Sequence, residues 1–188
     1  MVRRAALLAA LFLWLARPSQ ADERLRVVSA FGDTTARTYA EALAALWTET
    51  VTGLAAETTN AIGRDTLFEM LAEGQCDAAV AEPLTEPEDH PGTETVSPVS
   101  LFVAYPTRTT AEDGTVVTAW VQVIVRPTMP EDEAFALTRA AFEGAARLRR
   151  AVPAVGAASV EETVVNLRGP LHPGAARYLA EQGFPPPE

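Results

Sequence analysis

Apolar residues along the chain switch between a helical and a strand-like period. Tyr39, Ala42, Leu43, Leu46 and Trp47 recur three and four positions apart, which places them on one stripe of a helix predicted over Ala36–Thr48. Before it, Leu25–Phe31 reads as a short strand, and Gly32-Asp33-Thr34-Thr35 as a turn carrying helix-capping side chains. Gly53 closes the helical segment and Leu54–Thr58 predicts a second strand. Asn60-Ala61-Ile62-Gly63 turns into a second amphipathic helix with Leu67, Met70 and Leu71 on its inner face and Gly74 at its end. Asp77–Ala81, short and alanine-rich, has the composition of a buried strand. This β-α-β-α-β order predicts an α/β domain with a mostly parallel sheet and helices packed on it.

The stretch Pro83–Pro98 breaks both periods; its prolines and acidic residues, with His90 among them, mark a surface loop. Val99–Tyr105 and Val116–Arg126 follow as valine- and aromatic-rich strands, separated by the turn Glu112-Asp113-Gly114. Pro130 and Glu131 open one long helix through Arg150, acidic in its first turn and with Arg147, Arg149 and Arg150 near its end, as the helix dipole favours. Ser159-Val160-Glu161-Glu162 fits a capping box before a short helix. A last helix is predicted over Pro173–Gln182, closed by Gly183 and the stop Pro185-Pro186-Pro187.

The first residues add a destination. Arg3 and Arg4 precede an unbroken apolar run from Ala5 to Ala16, and Pro18-Ser19-Gln20-Ala21 ends in small residues before Asp22. That is the layout of a cleavable signal peptide over residues 1–21, and the run falls well short of the roughly 20 residues of a membrane anchor. The expected mature chain, residues 22–188, is one exported, periplasmic domain without membrane insertion.

Charge narrows the partners. The formal net charge is −10, and losing Arg3, Arg4 and Arg17 with the leader makes the mature chain three charges more negative, −13. Such a surface repels phosphate, which excludes nucleic acid and anionic membranes as partners. The single cysteine, Cys76, cannot form an intrachain disulfide; at the mouth of an apolar strand it reads as a small buried hydrophobe.

Signals of catalysis are absent: no Gly-x-Ser-x-Gly elbow, Walker loop, Cys-x-x-Cys or His-Glu-x-x-His occurs. His90, among acidic residues of irregular spacing, does not form a metal motif. His172 precedes a Pro-Gly helix start and reads as a capping or packing residue. The chain is therefore expected to be no enzyme, with no catalytic residue, cofactor or metal. The remaining site hypothesis is the set of turns at the strand C-termini, Phe31–Thr35 and Asn60–Arg64, each opening a helix. Gly32, Thr34, Thr35, Arg37, Asn60, Gly63 and Arg64 are the candidate ligand-binding residues.

The segment Gly169-Pro170-Leu171-His172-Pro173-Gly174-Ala175-Ala176-Arg177-Tyr178 resembles the end of TAXI-type solute receptors, the periplasmic subunits of TRAP transporters. Pro130–Phe142 is similar to that family's long helix after its last strand, and Thr35–Trp47 and Leu71–Asp77 fall in its first two β-α units. The resemblance implies one lobe of a clamshell that closes on a small organic anion, an acidic amino acid or dicarboxylate, with TRAP membrane subunits as partners. The family inserts its second lobe where this chain has only the short turn between Tyr105 and Val116, so the chain is expected to be a single periplasmic-binding-protein-like lobe. Gly32-Asp33-Thr34-Thr35-Ala36-Arg37 occupies the family's glycine-rich first turn, with Asp33 and Thr34 in place of paired glycines. A lone lobe implies weak binding. The alternative is an accessory module without ligand, whose uncovered face meets a partner protein or a second copy.

Overall fold

The computed structural model describes residues 23–30, 32–82, 98–110, 114–155 and 159–184. The expected signal peptide, most of the acidic loop including His90, the turn residues Glu112 and Asp113, and the proline stop lie outside them. The described residues form strand β1 (Glu23–Ala30), helix α1 (Thr34–Thr50), β2 (Leu54–Ala61), α2 (Arg64–Ala72), β3 (Ala78–Ala81), β4 (Val99–Thr110), β5 (Val116–Val125), and helices α3 (Glu131–Glu143), α4 (Ala145–Ala151), α5 (Val160–Asn166) and α6 (Pro173–Glu181).

The strands make one five-stranded sheet in the order β2-β1-β3-β5-β4. β1 pairs in parallel with β2 and β3, while β5 is antiparallel to both β3 and β4. Four strands thus share a direction and β5 alone reverses, so the sheet is mixed. Thr110 lies opposite Val116, closing β4 and β5 into a hairpin within a single α/β domain.

Alternation along β1 sends its side chains to two cores. Leu25 and Val27 join Tyr39, Leu43, Trp47 and Leu137 on the face covered by α1, α3 and α4. Val28 joins Leu67, Phe68, Leu71 and Cys76 beneath α2 on the other face. α1 and α2 therefore leave the sheet on opposite sides, and Ala78 and Ala79 of β3, buried in the two cores, let the layers approach closely.

Two expectations needed correction. The helix expected from Pro130 to Arg150 is interrupted at Gly144, where a Cβ would stand 2.5 Å from Leu46 Cδ2 of α1. The strands also outrun their predicted ends: β2 reaches Ala61 and β4 reaches Thr110. Register shifts at Ser100/Phe102 and Val103/Tyr105 re-phase β4, and Ser100–Tyr105 is buried continuously. Its outer edge is covered where Ser100 N donates to Pro170 O at 2.9 Å, His172 N to Ser100 O at 2.9 Å, and Val103 N to Thr163 Oγ1 at 3.1 Å.

The capping predictions agree with the observed geometry. Ser159 Oγ accepts from Glu162 N at 3.0 Å, and His172 Nδ1 accepts from Gly174 N at 3.1 Å. At the N-terminal end of β3, the Asp77 carboxylate accepts from Arg26 Nε at 3.1 Å and Arg126 Nη2 at 2.6 Å, and its bond holds the Arg26 pKa above the ordinary arginine value. No helix among the described residues is long and apolar enough to cross a membrane.

Candidate functional site

Neighbouring β1 and β2 end side by side, yet the turn after β1 enters α1 on one face and the turn after β2 enters α2 on the other. That divergence opens a crevice at the strand C-termini, where open α/β sheets bind their ligands. A cleft of about 110 Å³ lies there, lined by Ala30, Gly32, Asp33, Thr34, Arg37 and Asn60. Such a volume is well below the roughly 300–1,000 Å³ of enclosed small-molecule pockets. One lobe presents a wall, not an enclosure.

Local sequence chemistry builds this wall. Gly32 has φ of +96°, a left-handed conformation that turns the chain out of β1 and strains any side chain. Asp33 then caps α1, its Oδ1 accepting from Ala36 N at 2.9 Å. The first N–H groups of a helix have no intrahelical partner, so the Thr34 and Thr35 amides are donors for solvent or a ligand at this end. From β1, Ser29 Oγ donates to Asn60 Oδ1 at 3.1 Å, fixing the β2 side of the crevice.

Four of the seven sequence candidates, Gly32, Thr34, Arg37 and Asn60, meet in the cleft lining. Thr35, Gly63 and Arg64 do not line it. Gly63 is the extended N-cap of α2, with φ of −166° and no side-chain cap bond. The Arg64 guanidinium sits 6.0 Å from the centre of the Phe68 ring, on its own helix. Arg37 is exposed, with Nε 4.0 Å from Glu41 Oε1, an i,i+4 pair that water screens and weakens. The cleft therefore carries one guanidinium and one carboxylate, Asp33, on adjacent walls.

Sequence reasoning did not single out two further groups behind this rim. The Tyr39 and Tyr105 rings pack at 5.2 Å between centroids, and both hydroxyls are buried without a hydrogen-bond partner. Burial pushes both phenols above their ordinary pKa, and the charge of Asp33 adds to the shift at Tyr105. The only sequence signal was tyrosine at core positions where leucine or phenylalanine would fill the space without a polar atom.

Elsewhere the titratable groups have structural roles. Cys76 is buried, and desolvation first, then the neighbouring Asp77, pushes its thiol up to about 12, which leaves almost no thiolate near neutral pH. Among the described residues no group of three metal-ligating side chains comes together.

Residues 98–183 match the model of the NMT1-like family. That span covers β4 through α6, and the cleft at β1 and β2 lies outside it. Two solved structures are similar in outline, both of Corynebacterium glutamicum OxyR. Its hydrogen-peroxide-bound cysteine-to-serine variant is 14% identical, over 79% of this chain and 75% of that one, with a TM-score of 0.40. A further variant at the same cysteine is 13% identical, over 79% and 74%, with a TM-score of 0.40. The comparison with curated proteins gives no match.

Proposed function

We propose that this chain is a solute-receptor-like lobe that contacts a small organic anion from one side, at the crevice between β1 and β2. The observation that carries the reading is the gathering of Gly32, Thr34, Arg37 and Asn60 at the point where two helices diverge. The NMT1-like match over residues 98–183 supports it, since that family is related to solute receptors. The finer reading is a TAXI-type receptor, exported to the periplasm and working with TRAP membrane subunits. On this reading the lobe binds a solute without catalysing a reaction, and needs no cofactor.

The chemistry is shared between the amides of Thr34 and Thr35, the Arg37 guanidinium and the Asn60 side chain. Asp33 opposes them. A ligand carboxylate about 4 Å from Asp33 meets roughly 1 kcal/mol of repulsion in water-like surroundings, about a fivefold loss in affinity. The open wall removes a second increment, because water competes for every polar contact.

Calorimetry with glutamate, 2-oxoglutarate and succinate tests the reading. At least one is expected to bind, with a dissociation constant of about 1 mM. Arg37→Ala removes the heat, whereas Asp33→Asn, which keeps a capping oxygen, tightens binding about fivefold. No heat from any of the three anions with the intact chain would overturn it.

A further inference from the structure

The two edges of the β4–β5 hairpin are treated differently by the sequence. β5 has β3 as a neighbour only over Gln122–Val125. Its pairing with β4 continues to Val116, so residues 116–121 run beyond the three parallel strands as a two-stranded ribbon. A ribbon of two strands is marginal in water without a further neighbour. Among the described side chains of β4 in this stretch, Pro106 and Arg108 are exposed, a proline and a charge of the kind that blocks strand addition at an edge. On β5 the matching run, Val116-Val117-Thr118-Ala119-Trp120-Val121, contains no charged residue, proline or glycine. Val116 is 63% exposed, Thr118 is exposed and Trp120 half-buried. Among the described residues nothing pairs with this side of β5 beyond Gln122.

We propose that this unguarded edge pairs with the same edge of a second copy, β5 to β5, antiparallel about a twofold axis. Two observations favour a second copy over another occupant. An antiparallel strand edge is self-complementary, so one twofold axis satisfies the exposed amides and carbonyls of both copies. The chain has a net charge of −10, yet the run is uncharged, so two acidic molecules meet there without direct like-charge contact. The joined ribbons form a continuous four-stranded antiparallel sheet, about 20 Å along each strand. This proposal is independent of the ligand reading, because none of these residues lines the cleft.

Sedimentation equilibrium of the intact chain over a wide dilution series, with hydrogen exchange of the 116–121 amides, tests it. A monomer–dimer equilibrium is expected, with those amides slowing as the dimer forms. Thr118→Lys and, separately, Val116→Lys place like charges across the axis and weaken association about tenfold or more at unchanged circular dichroism. Arg108→Ala, on the guarded edge, leaves a dimer in place. A monomer at every concentration, or a dimer insensitive to both lysine variants, would overturn the proposal. So would full protection of these amides in dilute monomer, because another part of the same chain would then occupy the edge.

Discussion

Trp47 Nε1 donates to the Leu137 carbonyl oxygen at 2.9 Å, a buried bond joining α1 to α3 across the larger core. The indole is fully buried, and its one polar atom finds its partner on a helix that lies far along the chain. This bond ties the last turn of α1 to α3. Trp47→Phe removes the donor and leaves a small void, at a cost of about 2 kcal/mol. Urea unfolding at neutral pH measures it; an unchanged midpoint would show that the bond does not hold the two helices.

α3 and α6 meet at Gly174. A Cβ there would overlap the Glu131 carbonyl oxygen and stand 2.8 Å from Phe135 N, both backbone atoms with no rotamer to yield. Gly174→Ala therefore has to separate the two helices, and is expected to cost roughly 2–3 kcal/mol. In a domain of this size that lowers Tm by roughly 5–10 °C. Thermal unfolding of the variant at equal concentration checks it, and an unchanged Tm would refute the close contact.

His172 supplies a pH dependence. Its Nδ1 accepts from Gly174 N and its Nε2 lies 3.0 Å from Met129 O, so the ring is neutral with the proton on Nε2. Burial lowers its pKa below the ordinary 6.5, against smaller opposing effects of Met129 and Glu131. Above about pH 6.5 both folded and unfolded chains carry a neutral ring and the residue adds no slope. Below it the unfolded chain takes up a proton that the folded chain refuses, so stability falls with acidification until the folded pKa is passed. His172→Asn keeps a capping oxygen but cannot titrate. Its stability deficit against the natural chain is expected to be about 1–2 kcal/mol at neutral pH and to narrow as the pH falls. A deficit constant across that window would sink the assignment.

Local chemistry made much of this fold legible. The Asp33 cap, the Ser159–Glu162 box and the Pro173 helix start depend on residues within one turn of each other, and all three could be read directly. The break at Gly144 could not; the need for glycine there is tertiary, since a side chain would meet Leu46, a residue of another helix. Strand ends proved equally hard: Thr107–Thr110 are polar enough to pass for a turn, and only pairing with Val116–Ala119 draws them into β4. The cleft was half legible. Neighbouring parallel strands with helices on opposite faces bring Gly32 and Asn60 together by topology alone. Whether an arginine then points into the crevice depends on its place on the helix. Arg37 does, whereas Arg64 lies along α2 over the Phe68 ring. Asp33 stood out in sequence as a replacement for one of the resembled family's paired glycines, and its bond to Ala36 N gives it a capping role there.

The strand order also governs how much of the chain the sheet requires. β1 precedes the other strands in the chain, yet it sits between two later ones: Val27 pairs with Ala78, and Ala78 in turn with Val125. Without the second hairpin strand the short alanine run of β3 has a bare flank, and without α3 the larger core lacks Leu137. The sheet therefore closes only when strands distant in the chain are present together. A fragment ending before Val116 would not be a smaller copy of this lobe but a chain with nothing to close upon.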